Sequence, residues 1–287
     1  MNSRENSTNT GRYQISGMPR ARGGILDVIH IASRPVPAAP IFLDVDMTWA
    51  ENLRKEYEKR GCKITMTAIV LKAIGLAQVD HPFSRTVMLP WGATLQLNEI
   101  VAGFTVERYI DGVPGVFLGT VRDPHLKSLE QIGDELKAFG TKSMEEVADL
   151  EVQNRFSKFP LWLRRMILWI GMHFPSIRLK YMGASFGVSS LGKYGIKTLV
   201  PPCITTSIFG VGCVEDRVVV RNGEIVVRPI MTLSLNFDHR AIDGGPAARF
   251  LADVKTLLEG GLGRHMGVAS ENMVTVTPAT VPTNTMP

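Results

Sequence analysis

A chain of 287 residues that is 45% apolar can bury one large core or two small ones, which excludes bulk disorder. Its formal charge of +5 is modest for that length, and no Lys/Arg block interleaved with aromatics accompanies it, so nucleic acid is not an expected partner. Cys62, Cys203 and Cys213 form no Cys-x-x-Cys pair and leave an odd thiol, which argues against a disulfide framework and against zinc; no other metal-ligand set is visible. The chain opens without a charged-then-apolar leader, and no apolar run reaches the ~18 residues that cross a bilayer, so a cytoplasmic protein with no transmembrane segment is expected.

Residues 1–22 begin polar, small and aperiodic and read as a flexible N-terminal arm; 263–287 read as a disordered C-terminal tail. Between them, 23–262 read as one domain. Ile41 to Asp46 predicts a strand, and Thr48-x-x-Glu51 a capping box opening a helix to about Arg60. Ile64 to Val79 is apolar almost all round, which predicts a buried helix. Strands over 99–107 and 115–121 flank an Asp111-Gly112 turn, and Ser128-x-x-Gln131 and Ser143-x-x-Glu146 are capping boxes for two more helices.

The segment at about 151–182 has the oddest composition. Leu161 to Ile170 predicts an apolar helix interrupted by Arg164 and Arg165, bounded by Pro160 and Pro175 and too short to span a bilayer. One expectation is a helix buried against the domain or against a neighbour in an oligomer. The other is a docking or lid role, in which Arg155, Lys158, Arg178 and Lys180 suit an acidic carrier protein or an anionic membrane surface.

Phe186 to Gly192 reads as a strand entering a glycine-bearing loop, and Asn222-Gly223 between two Val/Ile runs predicts a two-residue hairpin. Met231, Leu233, Leu235 and Phe237 then alternate with Thr232, Ser234 and Asn236, the period of a strand buried on one face and ending at Asp238. Pro246 suits a first helical position, and Ala247, Phe250, Leu251, Val254, Leu257 and Leu258 recur at helical spacing. His239 and Asp243 fall on the turn between, where chemistry usually sits. The fold class is α/β, an α+β two-layer sandwich in which a mixed β-sheet packs with helices. The bland reading of the turn has Asp238, Arg240 and Asp243 pairing to pin a loop, with His239 a bystander.

Asp238-His239-Arg240 followed by Ile242-Asp243-Gly244 resembles the active-site signature of the dihydrolipoyl acyltransferase cores of 2-oxo-acid dehydrogenase complexes, a fold shared with chloramphenicol acetyltransferases. Gly210-Val211-Gly212 with Glu215-Asp216-Arg217, Asn222-Gly223-Glu224 with Arg228-Pro229, and Val121-Arg122-Asp123 before Lys127-Ser128-Leu129 extend the resemblance. It covers roughly 23–262 and is densest after Phe186. Two departures stand out. The lipoyl and peripheral-subunit-binding domains that usually precede such a core have no counterpart here, which suggests a stand-alone member without a covalently attached lipoyl group. The segment at about 151–182 reads as a helical insertion.

The resemblance implies a chloramphenicol-acetyltransferase-like fold and an acyl-CoA-dependent acyltransferase that moves a small acyl group, such as acetyl, to a hydroxyl or thiol. His239 is the implied general base; an imidazole ordinarily titrates near pH ~6.5, so its neutral form is available at physiological pH. Ser189 matches the residue that donates to the tetrahedral oxyanion, with Ser190 its immediate rival, and Asp243 is a catalytic support and not a second base. Acyl-CoA is the implied cosubstrate, held by residues that cannot be located from the sequence. The related cores are trimers whose site lies between subunits. The alternatives are a dihydrolipoyl acyltransferase acting in trans on lipoyl groups of a partner chain, and a non-catalytic oligomeric scaffold.

Overall fold

The computed structural model describes residues 8–9, 14–15, 19–33, 36–89, 91–110 and 112–266, so most of the expected arm and tail lies outside the described residues. Two short strands, β1 (Thr8–Asn9) and β2 (Gln14–Ile15), pair with each other, and α1 (Arg20–Val28) begins inside the expected arm. There follow β3 (Ala38–Asp46), α2 (Thr48–Lys59), α3 (Met66–Asp80), β4 (Thr86–Met88) and β5 (Thr94–Gln96). Then come the hairpin β6 (Val101–Ile110) and β7 (Val113–Arg122), and helices α4 (Leu129–Thr141), α5 (Ala148–Ser157), α6 (Leu161–His173) and α7 (Pro175–Met182). The last part holds β8 (Phe186–Ser190), β9 (Ser207–Arg221), β10 (Glu224–Asp238), α8 (Gly244–Thr256) and α9 (Leu262–His265).

Six strands form one mixed sheet in the order β3-β10-β9-β8-β6-β7. β8 runs parallel to both neighbours and every other pair is antiparallel. The apolar alternation puts Leu233, Leu235 and Phe237 of β10, with Phe209 and Val211 of β9, Val188 of β8 and Phe104 of β6, into one core, but β10 is not buried on one face only, since Ser234 and Asn236 are buried as well. Against them pack Ile69 and Ile74 of α3 and Ala247, Phe250, Leu251 and Val254 of α8. α3 is buried nearly all round, as its composition required.

The other face of the sheet is crossed by the connection after β8. Ser234 Oγ donates to the Leu199 carbonyl at 2.6 Å, Asn236 Nδ2 to the Pro201 carbonyl at 2.9 Å, and the Cys213 N–H to the Ile196 carbonyl at 2.8 Å. The strap over 196–201 lies so close that a Cβ on Gly212 would stand 1.9 Å from the Lys197 carbonyl oxygen, and one on Gly210 2.3 Å from that of Leu199. Glycine at these two positions is a packing requirement.

The local signals divide into those the chain obeys and those a neighbour overrides. Asn222 and Gly223 have φ of 52° and 85°, the left-handed pair a two-residue hairpin needs. Ser128 and Gln131 form both reciprocal bonds of a capping box. The expected box at Thr48 does not form: the Asp46 carboxylate takes the Thr48 N–H at 3.0 Å and its hydroxyl, so Thr48 is the first helical residue, and Glu51 pairs with Arg54. Ser143 and Glu146 close a turn that ends before α5. α8 starts at Gly244, two residues before the expected Pro246, which is tolerated because first-turn N–H groups have no partner within the helix.

α5 covers the β7 edge, and α6 packs on α1 and α7. Gln153 Oε1 accepts the Leu118 N–H at 2.9 Å and its Nε2 donates to the Leu118 carbonyl at 2.6 Å, so a side chain supplies the pairing that a further strand would make. The expectation of an apolar α6 buried against its own domain is met on one face only, where Leu168 and Gly171 are buried. Asp27 of α1 is buried, and Arg164 Nε at 2.7 Å and Arg165 Nε at 3.3 Å pair with it. A buried carboxylate without cations is costly, so the arginine edge of α6 turns inward. Trp162 (66% exposed), Trp169 (55%), Leu161 and Met166 are left facing out.

Candidate active site

β10 ends at Asp238, and this buried carboxylate shapes the turn that leads into α8. It accepts the Arg240 N–H at 3.0 Å and is gripped by the Arg240 guanidinium through Nε at 2.9 Å and a terminal nitrogen at 2.7 Å. Its carbonyl accepts the Ala241 and Ile242 N–H groups, and the His239 N–H donates to the Pro37 carbonyl at 3.2 Å. Asp238 and Arg240 pair fork to carboxylate and pin the turn. Asp243 takes no part in that pairing. The turn they hold presents a half-exposed His239 imidazole, with the Phe237 ring centroid 5.4 Å away.

Asp243 occupies the N-cap position of α8 but makes no side-chain capping bond. Its carboxylate is 88% exposed, and Oδ1 lies 4.0 Å from His239 Nδ1, beyond hydrogen-bond length. Nor does it meet an arginine among the described residues. What it supplies is a negative charge at a helix N-terminus, next to the imidazole.

Arg178 of α7 approaches the same turn from behind. Burial, and then the Arg240 cation, push its guanidinium down to about 10 against the pull of Asp238, and one terminal nitrogen is buried without an acceptor among the described residues. Its position in the sequence groups Arg178 with surface cations; only the packing of α7 distinguishes it. The side chain of Lys180 lies outside the described residues. Cys203 is buried here too, its thiol pushed up to about 12 by burial and then by Asp238, with Sγ 3.0 Å from the Thr205 carbonyl. A thiol so held stays protonated and is no nucleophile.

Ser189 lies on β8, opposite Thr105 of β6, whose hydroxyl reaches it at 3.5 Å. Strand alternation puts Ser189 on the side of Gly187 and Ser190 on the side of Phe186 and Val188, which face the core. The two serines therefore cannot substitute for each other. Across the sheet Ser189 is level with Gly210, and Gly210 with Ser234. His239 is five residues beyond Ser234, so one chain holds its serine and histidine about 19 Å apart by strand rise and spacing.

A second His–carboxylate pair is better formed. His81 Nε2 lies 2.6 Å from Asp253 Oδ2, but the ring is buried against Phe83 and Phe250, at 5.3 and 5.4 Å between centroids, which leaves no face for a substrate. It fastens the turn after α3 to α8. No sequence spacing signals it. Among the described residues no group of three or more His, Cys, Asp or Glu side chains could hold a metal.

The mixed six-stranded sheet with a histidine on the turn after β10 has the fold of acyltransferase cores. The cubic core of a pyruvate dehydrogenase multienzyme complex superposes with a TM-score of 0.67 at 23% identity, covering 90% of this chain and 97% of that one. The dihydrolipoamide acetyltransferase of Azotobacter vinelandii superposes at 0.66 with 22% identity, over 90% of this chain and 96% of the other; in that enzyme the roles of a serine, a histidine and an asparagine four residues later in the catalytic mechanism have been investigated. Residues 178–263 match the family of 2-oxoacid dehydrogenases acyltransferase (catalytic domain). The dihydrolipoyllysine-residue acetyltransferase component of pyruvate dehydrogenase complex from Rhizobium meliloti (strain 1021) is 31% identical over 265 residues, 88% of this chain and 52% of that protein. The chain spans about half the length of the curated relatives it matches.

Proposed function

We propose that the chain transfers an acyl group between a coenzyme A thioester and the thiol of a dihydrolipoyl group borne by a partner, with His239 as general base, Ser189 as oxyanion donor and Asp243 as supporting carboxylate. The observation that carries this reading is the half-exposed His239 on a turn made rigid by Asp238 and Arg240, inside the stretch that matches the acyltransferase catalytic domain. The likeness to dihydrolipoyllysine-residue acetyltransferases favours a lipoyl thiol over a hydroxyl acceptor.

In the reaction neutral His239 takes the acceptor's S–H proton while the sulfur attacks the thioester carbonyl carbon. The new C–S bond forms and the carbonyl oxygen becomes an oxyanion, which the Ser189 hydroxyl stabilises with a hydrogen bond. Collapse breaks the bond to the coenzyme A sulfur, and that thiolate recovers the proton from His239. Asp243, beside the imidazole, favours the transient imidazolium. The separation of Ser189 from His239 within one chain favours an assembly in which the serine strand of one copy faces the histidine turn of the next, for which we take the closed homotrimer that the resemblance implies.

The test is acetyl transfer from acetyl-CoA to free dihydrolipoamide, followed as thioester formation in wild type and His239→Ala. Transfer that needs His239 is expected. Transfer to hydroxyl acceptors alone would replace the lipoyl reading, and no transfer to either would leave the scaffold reading.

A further inference from the structure

At the end of the sheet away from the His239 turn, a cleft of about 360 Å³ opens between the β9–β10 hairpin, the start of α2 and the C-terminal end of α8. Trp49, Arg221, Arg228, Lys255, Asp46 and Glu259 line it. Arg228 is ten residues from Asp238 along β10, about 33 Å by strand rise, so the cleft is remote from the imidazole of the same chain.

Its charges do not cancel. Lys255 pairs with Glu259 and donates to the Asp44 carbonyl at 2.7 Å. Glu259 also accepts the Asp46 N–H at 2.8 Å, and Asp46 accepts two bonds from Thr48 and lies 3.8 Å from Arg221 Nε. Both carboxylates are thus engaged. Arg228 has no ion pair and no acceptor among the described residues, and its Nε is buried. Trp49 is only 6% exposed, and its indole N–H is likewise buried without an acceptor. Two unanswered N–H donors and an uncompensated guanidinium at one cleft are what an absent acceptor of negative charge would satisfy.

We propose that this cleft binds a small oxyanion, a carboxylate or a phosphate, with Arg228 as its principal cation and the Trp49 indole as a second donor. A guanidinium fork matches both groups bidentately, and an indole N–H can only donate. The volume falls within the range of small-molecule sites, so the oxyanion can be carried on a metabolite and need not be a bare ion. The proposal does not depend on the acyl-transfer reading.

Isothermal titration of the full chain with inorganic phosphate and with citrate, at constant ionic strength, tests it and separates the two sources. Saturable binding of at least one is expected, weakened at least ~10-fold in Arg228→Met and also in Arg228→Lys, which keeps the charge but loses the fork. Fluorine NMR of wild type labelled with 5-fluorotryptophan gives a readout that does not require either variant to fold. Of the resonances from the four tryptophans, the one missing in Trp49→Phe should shift saturably with the same probe. No saturable heat with either probe, unchanged affinity in folded Arg228 variants, or a Trp49 resonance that stays fixed at saturating probe would each overturn the proposal.

Discussion

Ser189 stands level with Ser234, five residues short of His239 and on a strand two places away in the sheet. If both groups act on one substrate, they come from different copies of the chain. Assemblies mixing His239→Ala chains with Ser189→Ala chains should then recover turnover, because a closed ring of three that contains both kinds has at least one interface with both wild-type groups. Each variant alone is expected to lose ~10²- to 10⁴-fold in turnover, with the melting temperature unchanged for His239→Ala. Verified mixed trimers that stay inactive would place both groups in service of one chain, or remove Ser189 from the mechanism.

The close approach of the strap to the sheet makes a stability prediction. Gly212→Ala puts a methyl group 1.9 Å from the Lys197 carbonyl oxygen, a backbone atom that cannot swing aside. Overpacking of this kind costs ~1–3 kcal/mol, which a urea denaturation midpoint would register. Gly133→Ala, where no atom lies within 4 Å, serves as the control and should not destabilise.

His125 should make the fold sensitive to acid. Burial holds its imidazole below the usual value, Lys72 and Arg85 add to that against Asp123, and its Nδ1 is buried without a partner among the described residues. A base whose pKa is lowered by folding binds its proton more tightly in the unfolded chain, so stability falls as pH drops through the unfolded value. The loss of melting temperature between about pH 7 and pH 5 should therefore be smaller in His125→Gln than in wild type. Parallel profiles would show that His125 carries none of it.

The outward face of α6 can be changed without touching the core. Trp162→Ser with Trp169→Ser should alter stability by no more than ~0.5 kcal/mol per site at low protein concentration, since both rings are exposed. Transfer to an acceptor carried on a protein is expected to fall more than transfer to free dihydrolipoamide. Equal losses would separate this face from the acceptor, and a melting temperature that drops only at high protein concentration would mark it as a contact between copies.

Short-range features were open to reading from the chain alone. The hairpin at Asn222-Gly223, the capping box at Ser128, the buried helix over 66–80 and the strand, turn and helix that carry His239 each depend on residues a few positions apart. The box at Thr48 failed even at that range because Asp46, two residues upstream, competes for the same N–H and hydroxyl. The orientation of α6 was not legible, since it turns on Asp27, 137 residues away from Arg164. Nor were the burial of Arg178 against Asp238 and Arg240, the His81–Asp253 pair, or the distance between Ser189 and His239. Periodicity and capping are fixed by a residue's own neighbours and by the geometry of one element, so the sequence by itself determined the longer core elements and the apolar face that they bury. Ion pairs and strand register depend on which distant segments the buried core brings side by side, and only the tertiary structure decided which cations are neutralised and that the serine and histidine of one chain stand apart.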